Sequence, residues 1–291
     1  MLKTPLVTVI CTCYNHEKYV VESLNSVISQ SYQNIQLIIA DDYSTDDSCK
    51  TIKKWIKNHP DVLFLENPKN IGNIKTFNNA YKHAKGLYII DLAADDILLK
   101  HCIEVQVTTF LKTRYKKLGI VYANINLVDA NKKHLSIYYD ENDAPESGNI
   151  YKMVIGRKTM ICSVASMIKK QVFDDIGNYD ENLYYEDLDL WVRASRVFDF
   201  EYIPSVLAEK RELSTSLSAH FLYQNSSKTK KLHNSTLKIF EKILALNTSK
   251  DEYRIMLNRI YFEIFKFLKA KEFILLLKLL RTGFKAFIKS I

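Results

Sequence analysis

Glycine and proline are scarce in this sequence, with 7 Gly and 5 Pro among 291 residues. So low a content excludes a collagen-like chain and argues against long disordered segments. The five cysteines form no Cys-x-x-Cys pair, and their odd number is typical of reduced thiols in a cytosolic protein. A metal or redox role for Cys11 and Cys13 is disfavoured, because no His or Cys cluster elsewhere offers the remaining zinc ligands.

Several motifs of well-known enzyme classes are also missing. The sequence has no Gly-x-Gly-x-x-Gly, no Gly-x-x-x-x-Gly-Lys-Ser/Thr, no Gly-x-Ser-x-Gly and no His cluster with zinc spacing. These absences argue against dinucleotide binding, P-loop hydrolysis, an α/β-hydrolase and a zinc enzyme. No apolar run reaches the ~18 residues that span a bilayer, and residues 1–5 do not resemble a signal peptide. We therefore expect a cytoplasmic protein.

Positive charge is concentrated toward the C-terminal end. From His220 onward the sequence has 15 Lys+Arg and 5 Asp+Glu, which leaves 26 basic and 28 acidic residues in 1–219. We therefore predict a body at 1–219 and a basic tail at 220–291. A tail of this kind attracts phospholipid head groups or a polyanionic partner.

Strand and helix patterns alternate in the first part of the chain. Continuous apolar runs at 7–11, 35–40, 62–65 and 87–91 alternate with helical spacing at 17–30, 44–56 and 77–84. Such runs are typical of parallel strands that are covered on both faces. The order predicts an α/β fold with a doubly wound, mostly parallel sheet that binds ligands at the C-terminal ends of its strands.

The second part of the chain is less regular. Its patterns predict strands at 120–123, 164–168, 200–203 and 206–208, a helix at 187–197 and a polar, irregular segment at 129–148. Helical spacing from 220 to the C-terminus predicts an amphipathic helical extension.

Polar residues follow the first two predicted strands. Tyr14 offers an aromatic face on which a nucleobase can stack, and Asp42 offers an acceptor for an imide N–H. Alternatively, Asp41 and Asp42 are carboxylates that favour a helix N-terminus, and Asn15 has the character of an N-cap. The residues alone leave both interpretations open.

Two further acidic segments are candidate sites. Asp95 and Asp96 follow the fourth predicted strand, where Mg²⁺ or Mn²⁺ would link their carboxylates to a diphosphate. The alternative is a helix N-terminus, since we expect a helix from Ile97. In 185–193, three acids begin a predicted helix, either as a solvated face or with one of them acting as a general base.

The order of these motifs resembles glycosyltransferase family 2, an inverting group with the GT-A fold, of the bacterial polysaccharide type. The family's opening corresponds to Tyr14-Asn15, Gln30-Ser31-Tyr32-Gln33-Asn34 and Asp41-Asp42-Tyr43-Ser44-Thr45-Asp46. Asn70-x-Gly72 and Ala84-Lys85-Gly86-x-Tyr88-Ile89 resemble the segment leading into its Asp-x-Asp strand. Tyr185-Glu186-Asp187-x-Asp189-Leu190-Trp191-x-Arg193 resembles its catalytic helix. The resemblance covers about residues 5–219.

The resemblance implies a set of residues that bind the nucleotide. They are Thr12, Tyr14, Asn15, Asp42, Asp95 and Arg211, with Arg211 preceding Ser214, Ser216 and Ser218 in a late loop over the diphosphate.

The resemblance also implies the groups of the reaction. Asp187 would be the catalytic base, and Asp96 with Asp95 would hold Mn²⁺ or Mg²⁺. Glu186 and Lys75 would have supporting roles.

The sequence departs from the family pattern at three positions. Cys11 stands where the family usually has Pro, Ala93 replaces the first acid of Asp-x-Asp, and Leu213 stands where a late-loop His is common. Some members share the loss at Ala93, which indicates a subtype and not an inactive chain. A His-ligated metal site is not expected.

The expected reaction is inverting transfer of a hexosyl or N-acetylhexosaminyl group from a UDP-sugar, or a dTDP-sugar. The expected acceptor is a glycan or lipid-linked glycan of surface polysaccharide biosynthesis. One alternative is a family member that binds nucleotide-sugar without transfer, against which the intact Asp187, Asp95 and Asp96 argue. The other is a nucleic-acid- or anion-binding protein that uses the basic tail. We expect no nucleic acid as a partner, because a tail rich in Leu, Ile and Phe favours contact with a membrane or a protein partner.

The last predicted helix, 273–291, has basic residues on one side. Lys278, Arg281, Lys285 and Lys289 lie three or four residues apart and form one stripe. This pattern predicts a helix in the interface of an anionic membrane, on the inner face of the plasma membrane. The alternative is a helix that packs on the α/β body through its apolar face.

Overall fold

The computed structural model describes residues 4–140, 144–213 and 226–291. The chain divides into two compact units. The sheet unit comprises Met1–Gly148, Ile161–Asn178 and Phe198–Glu212, and the helical unit comprises Asn149–Met160, Tyr179–Val197 and Leu213–Ile291. The predicted boundary at 219/220 lies outside the described residues and stays a prediction.

A single sheet forms the centre of the sheet unit and has nine strands within the described ranges. They are β1 (Val7–Cys13), β2 (Ile35–Asp41), β3 (Leu63–Glu66), β4 (Tyr88–Ala93), β5 (Ile97–Leu98), β6 (Leu118–Val128), β7 (His134–Ile137), β8 (Ser166–Lys169) and β9 (Asp199–Arg211). Their order is β3-β2-β1-β4-β8-β6-β9-β5, with β7 paired to β6. Strands β1 to β4 are parallel, whereas β8 runs antiparallel to β4 and β6, so the sheet as a whole is mixed.

Burial explains why the first strands are apolar throughout. All seven residues of β1 and the last five of β2 are buried. Strands covered on both faces have no polar alternation, which is the pattern that the sequence shows. The predicted α/β fold, with helices flanking a central sheet and a C-terminal helical extension, is confirmed.

The described helices follow in chain order. They are α1 (Val20–Ile28), α2 (Ser48–Trp55), α3 (Asn73–Tyr81), α4 (Cys102–Lys112), α5 (Tyr151–Gly156), α6 (Lys170–Ile176), α7 (Asp187–Ser195), α8 (Ser227–Leu246), α9 (Lys250–Lys269) and α10 (Phe273–Ser290). Helices α1 to α4 and α6 belong to the sheet unit, and the others belong to the helical unit.

The structure corrects three local predictions. Asn15 is not an N-cap, because α1 begins only at Val20. No helix starts at Ile97, which lies in β5 and pairs with Glu209 of β9. The two strands predicted between 200 and 208 are one strand, β9, whose register against β6 shifts near Asn124.

The helical unit ends in an antiparallel hairpin of α9 and α10. Helix α9 starts with a capping box between Ser249 and Glu252. The ends of the hairpin meet where the Lys250 ammonium donates to the Ile291 carbonyl. Among the described residues, no helix is long and apolar enough to cross a membrane.

Candidate functional site at the edge of the sheet

Strands β1, β2 and β4 end side by side at one edge of the sheet. Cys13 pairs with Asp41 of β2, and Thr12 pairs with Ala93 of β4. The Ala94 amide donates to the Thr12 carbonyl over 3.0 Å, which ties the segment after β4 to β1. Parallel strands expose their last amides and side chains here, so this edge is the natural ligand-binding edge of the sheet. The predicted Thr12, Asp42 and Asp95 are thereby brought to one edge.

Asp42 organises the segment before α3. Its Oδ1 accepts hydrogen bonds from the Ile71 amide at 2.8 Å and the Asn67 side-chain amide at 3.0 Å, and its Oδ2 accepts from the Gly72 amide at 2.8 Å. Gly72, with φ of 91°, is the residue before α3. Asp42 is almost fully buried. Its carboxylate therefore fixes one wall of this edge, and Lys75 lies exposed on the helix that follows.

The turns after β1 and β2 hold each other in unusual conformations. Asn15 and Tyr43 both have left-handed backbones, with φ of 59° and 63°. The Asn15 side-chain oxygen accepts from the Thr45 amide at 2.8 Å, and the Asn15 amide donates to the Ser44 hydroxyl at 3.0 Å. A left-handed backbone is uncommon for residues other than glycine and persists only where neighbouring groups hold it. Such residues are frequent at functional sites. Tyr14 beside this turn is 44% exposed, which leaves its ring accessible for stacking.

Asp95 and Asp96 lie in very different surroundings. Asp96 is buried, and its Oδ1 accepts from the Arg211 amide at 2.9 Å. Burial, with a contribution from the neighbouring Asp95 carboxylate, raises the pKa of Asp96 well above its ordinary value. The Asp95 carboxylate is partly exposed and lies 3.8 Å from His16 Nε2. Of the two, Asp95 is the better placed to meet a ligand, and the role of Asp96 as a metal ligand stays a prediction.

Arg211 is committed to neighbouring protein groups. Its guanidinium donates to the Asp95 carbonyl and to the Glu22 carboxylate, and lies 4.8 Å from the centre of the Tyr19 ring. Partial burial acts to raise the pKa of Glu22, but hydrogen bonds from Lys132 and Arg211 outweigh it and hold that pKa below its ordinary value. Arg211 thus connects α1, through Glu22, with the segment that carries Asp95. Its predicted contact with the diphosphate stays a prediction, and Ser214, Ser216 and Ser218 lie outside the described residues.

The predicted base Asp187 belongs to the helical unit. It is the first residue of α7, after Glu186, and its Oδ1 accepts from the Leu188 amide at 2.7 Å. The next acid, Asp189, is fully buried and accepts from Arg193 Nε at 2.8 Å and Lys242 Nζ at 2.6 Å. Two cations compensate that buried charge, so Asp189 holds α7 to α8 and has a structural role.

The donor set at the edge of the sheet suits a metal that is shared with a substrate. Among the described residues, no group of three His, Cys, Asp or Glu side chains is arranged to hold a metal ion. Mg²⁺ and Mn²⁺ are commonly bound by one or two carboxylates together with substrate phosphates, and Asp95 offers such a carboxylate. The residues present therefore fit a cation whose remaining ligands come from a diphosphate and water.

Comparison with known sequences decides the family. The profile described as Glycosyl transferase family 2 matches residues 8–177, more than half of the 291 residues. The chain belongs to glycosyl transferase family 2. The match covers β1 to β8 and therefore includes the edge that carries Thr12, Asp42 and Asp95.

Curated relatives from bacteria carry glycosyltransferase names. An uncharacterized glycosyltransferase of Rickettsia prowazekii is 31% identical over 212 residues, which are 72% of this chain and 64% of that protein. Chondroitin synthase of Escherichia coli is 27% identical over 205 residues, which are 70% of this chain and 28% of that enzyme. The chain thus spans less than two thirds of the length of these relatives.

Solved structures support the GT-A fold. TarS of S. aureus in complex with UDP matches with a TM-score of 0.63 and 17% identity over 87% of this chain and 70% of that one. The mannosyltransferase PcManGT of Pyrobaculum calidifontis, in complex with GDP-Man and Mn²⁺, matches with a TM-score of 0.66 and 15% identity over 93% and 74%. At these identities the likeness establishes the fold, a mixed sheet flanked by helices, and not the donor.

Sequence reasoning missed two residues of this edge. His16 follows Tyr14-Asn15, but no metal or catalytic spacing singles it out. Glu22 lies 189 positions before its partner Arg211, and only folding shows that the two are paired.

Proposed function

We propose that this chain transfers a sugar from a UDP-sugar to a glycan or lipid-linked glycan acceptor in surface polysaccharide biosynthesis. The supporting observation is that Asp42 and Asp95, which follow β2 and β4, stand at one edge of the sheet in a family 2 chain. A dTDP-sugar presents the same base edge and remains the second donor class to test.

The proposed nucleotide contacts follow from the chemistry of that edge. The exposed Tyr14 ring would stack on the base, and an Asp42 oxygen would accept its imide N–H while continuing to hold the Gly72 amide. A carboxylate oxygen has two lone pairs, so both hydrogen bonds can be formed together. Thr12 and Asn15, at the end of β1 and in the following turn, would contact the ribose.

For the reaction we propose an in-line displacement at the anomeric carbon with inversion. Asp187 would accept the proton of the attacking acceptor hydroxyl, a role that rests on its motif. Asp95, with Asp96 as the further predicted ligand, would hold Mn²⁺ or Mg²⁺, which when bound neutralises charge that develops on the departing diphosphate. The proposed supporting roles of Glu186 and Lys75 concern the orientation of Asp187 and contact with the phosphates.

The test is a donor screen with the whole chain. UDP-GlcNAc, UDP-glucose, UDP-galactose, dTDP-glucose and GDP-mannose are each supplied with Mn²⁺, and release of nucleoside diphosphate is measured with and without oligosaccharide acceptors. We expect release from a UDP-sugar to exceed release from GDP-mannose. Binding of all donors without release would indicate a non-catalytic binder, and preference for GDP-mannose would overturn the assignment of the base pocket.

A further inference from the structure

Helix α10 presents apolar side chains outward as well as inward. Its inward face, which includes Leu275, Leu276, Leu279 and Ala286, is buried in the helical unit. Large apolar side chains also point outward; those that are 43% to 73% exposed are Phe273, Ile274, Leu277, Leu280, Phe284, Phe287, Ile288 and Ile291. At 100° per residue most of these fall on one stripe opposite the buried face. We call this stripe the outer face of α10.

The end of α9, which leads into α10, adds to the exposed apolar surface. Tyr261, Phe262, Phe265 and Leu268 are 75%, 67%, 59% and 46% exposed. The Lys269 ammonium lies 4.8 Å from the centre of the Phe265 ring, so a cation accompanies the aromatic side chains here too. Exposed apolar side chains are ordinary when scattered singly, whereas this many on two consecutive helices indicate an interaction surface.

Charge of one sign borders the outer face. Lys278, Arg281, Lys285 and Lys289 lie on one flank of α10 between its outer and buried faces, and α10 itself has no acidic residue. A second copy of the chain packed on the same face would bring these cations together without a counter-charge. Anionic head groups complement them, and acyl chains accommodate the aromatic and aliphatic side chains next to them. The occupant favoured by both features is an anionic lipid surface.

We propose that the outer face of α10, with the end of α9, lies in the interface of an anionic membrane while the inner face of α10 holds the helical unit together. The sequence posed membrane binding and packing on the α/β body as alternatives for this helix. In the structure its inner face packs within the helical unit, and its outer face is left for lipid. A helix of 18 residues is about 27 Å long and lies flat in this arrangement. The proposal concerns docking and does not depend on the donor or on catalysis.

Vesicle binding by the full chain tests the proposal. Phosphatidylcholine vesicles with and without phosphatidylglycerol are sedimented with the protein at low and high salt. We expect binding to the anionic vesicles that weakens with salt, because exposed charges are screened. Lys278→Gln/Lys285→Gln is expected to lower the partition coefficient roughly 30-fold, since each of the two basic residues contributes ~1 kcal/mol near an anionic surface.

Apolar variants and matched controls complete the experiment. Leu277→Asp/Phe284→Asp changes only exposed positions and is expected to abolish binding, with unchanged circular dichroism and unchanged nucleoside diphosphate release. Two controls are expected to bind anionic vesicles like the parent. One is Leu111→Asp, at a 65% exposed position of α4, and the other is Lys54→Gln/Lys57→Gln, at two exposed positions of the sheet unit.

Two results would overturn the proposal. One is a parent chain that ignores anionic vesicles at low salt. The other is a parent chain that is dimeric by light scattering, becomes monomeric in Leu277→Asp/Phe284→Asp, and binds vesicles equally in both forms, which would assign the outer face to a second copy.

Discussion

At the residue scale, the carboxylates that the sequence singles out differ in how far protein donors already occupy them. Asp41 accepts both the amide and the hydroxyl of Ser44, at 2.9 Å and 2.6 Å, and so shapes the turn after β2. Asp96 and Asp189 are likewise buried on protein donors. Asp42 is also buried and accepts from the Ile71 and Gly72 amides, but it borders the proposed base site. Asp95 differs from all of these, because it is partly exposed.

Replacing Asp42 tests the proposed base site. Asp42→Ala is expected to weaken UDP binding by roughly 1–3 kcal/mol, the cost of leaving a buried polar group unpaired. The control is Asn67→Ala, which removes one donor to Asp42 Oδ1 and leaves the carboxylate in place. Calorimetry measures both, and an unchanged UDP affinity in Asp42→Ala would limit that residue to the support of the 71–72 segment.

Replacing Asp187 tests the proposed base. Asp187→Asn retains the size of the side chain but removes its ability to accept the acceptor proton. We expect transfer to fall by at least about 100-fold, the lower end of general-base contributions, with nearly unchanged donor affinity. Near-normal turnover would instead direct attention to Glu186, for which Glu186→Gln is the matched variant.

At the scale of elements, the pair formed by Glu22 of α1 and Arg211 at the end of β9 holds the Asp95 segment. Arg211 contacts the Asp95 carbonyl through its side chain and Asp96 through its backbone, and Glu22 of α1 compensates its charge. A residue far along the chain thereby determines where Asp95 lies, although it need not touch the substrate.

Glu22→Gln is expected to raise the Mn²⁺ concentration for half-maximal activity several-fold, because Arg211 loses its charged partner and the Asp95 segment loosens. A titration of activity with Mn²⁺, together with the thermal midpoint, separates this effect from a loss of fold. Lys132→Gln is the control: Lys132 donates to the same carboxylate at 2.8 Å but is 43% exposed, so a smaller change is expected. Equal effects of the two variants would argue against a role of the Glu22–Arg211 pair in holding the Asp95 segment.

The two faces of α10 give a second test at this scale. Leu279→Ala, at a fully buried position, is expected to lower the free energy of unfolding by about 2–5 kcal/mol. Leu277→Ala, at a position 67% exposed, is expected to change it by less than about 0.5 kcal/mol. Urea denaturation compares the two variants, and similar losses for both would mean that the outer face is covered in solution.

At the scale of the whole molecule, metal and nucleotide are expected to bind together, since the described part of the chain has no group of three side chains arranged to hold a metal ion. UDP with Mn²⁺ is expected to raise the thermal midpoint more than either alone. When the ligand concentration is 100 times the dissociation constant, binding stabilises the folded state by about 2.7 kcal/mol. Chelator is expected to abolish both activity and the joint stabilisation. Full activity in chelator would refute the proposed role of the metal.

The sequence by itself determined the α/β fold, the positions of β1, β2 and β4, and the family. Parallel strands buried on both faces leave an apolar signature, and the residues that follow them keep their order in the chain, so local patterns are sufficient. Only the tertiary structure decided that Asp96 is buried on the Arg211 amide, that Glu22 pairs with Arg211, and that Ile97 lies in β5. These features depend on contacts between residues more than a hundred positions apart, which local periodicity does not encode. In α10 the sequence showed that the helix is amphipathic, and packing alone decided which of its apolar side chains face the helical unit and which face outward.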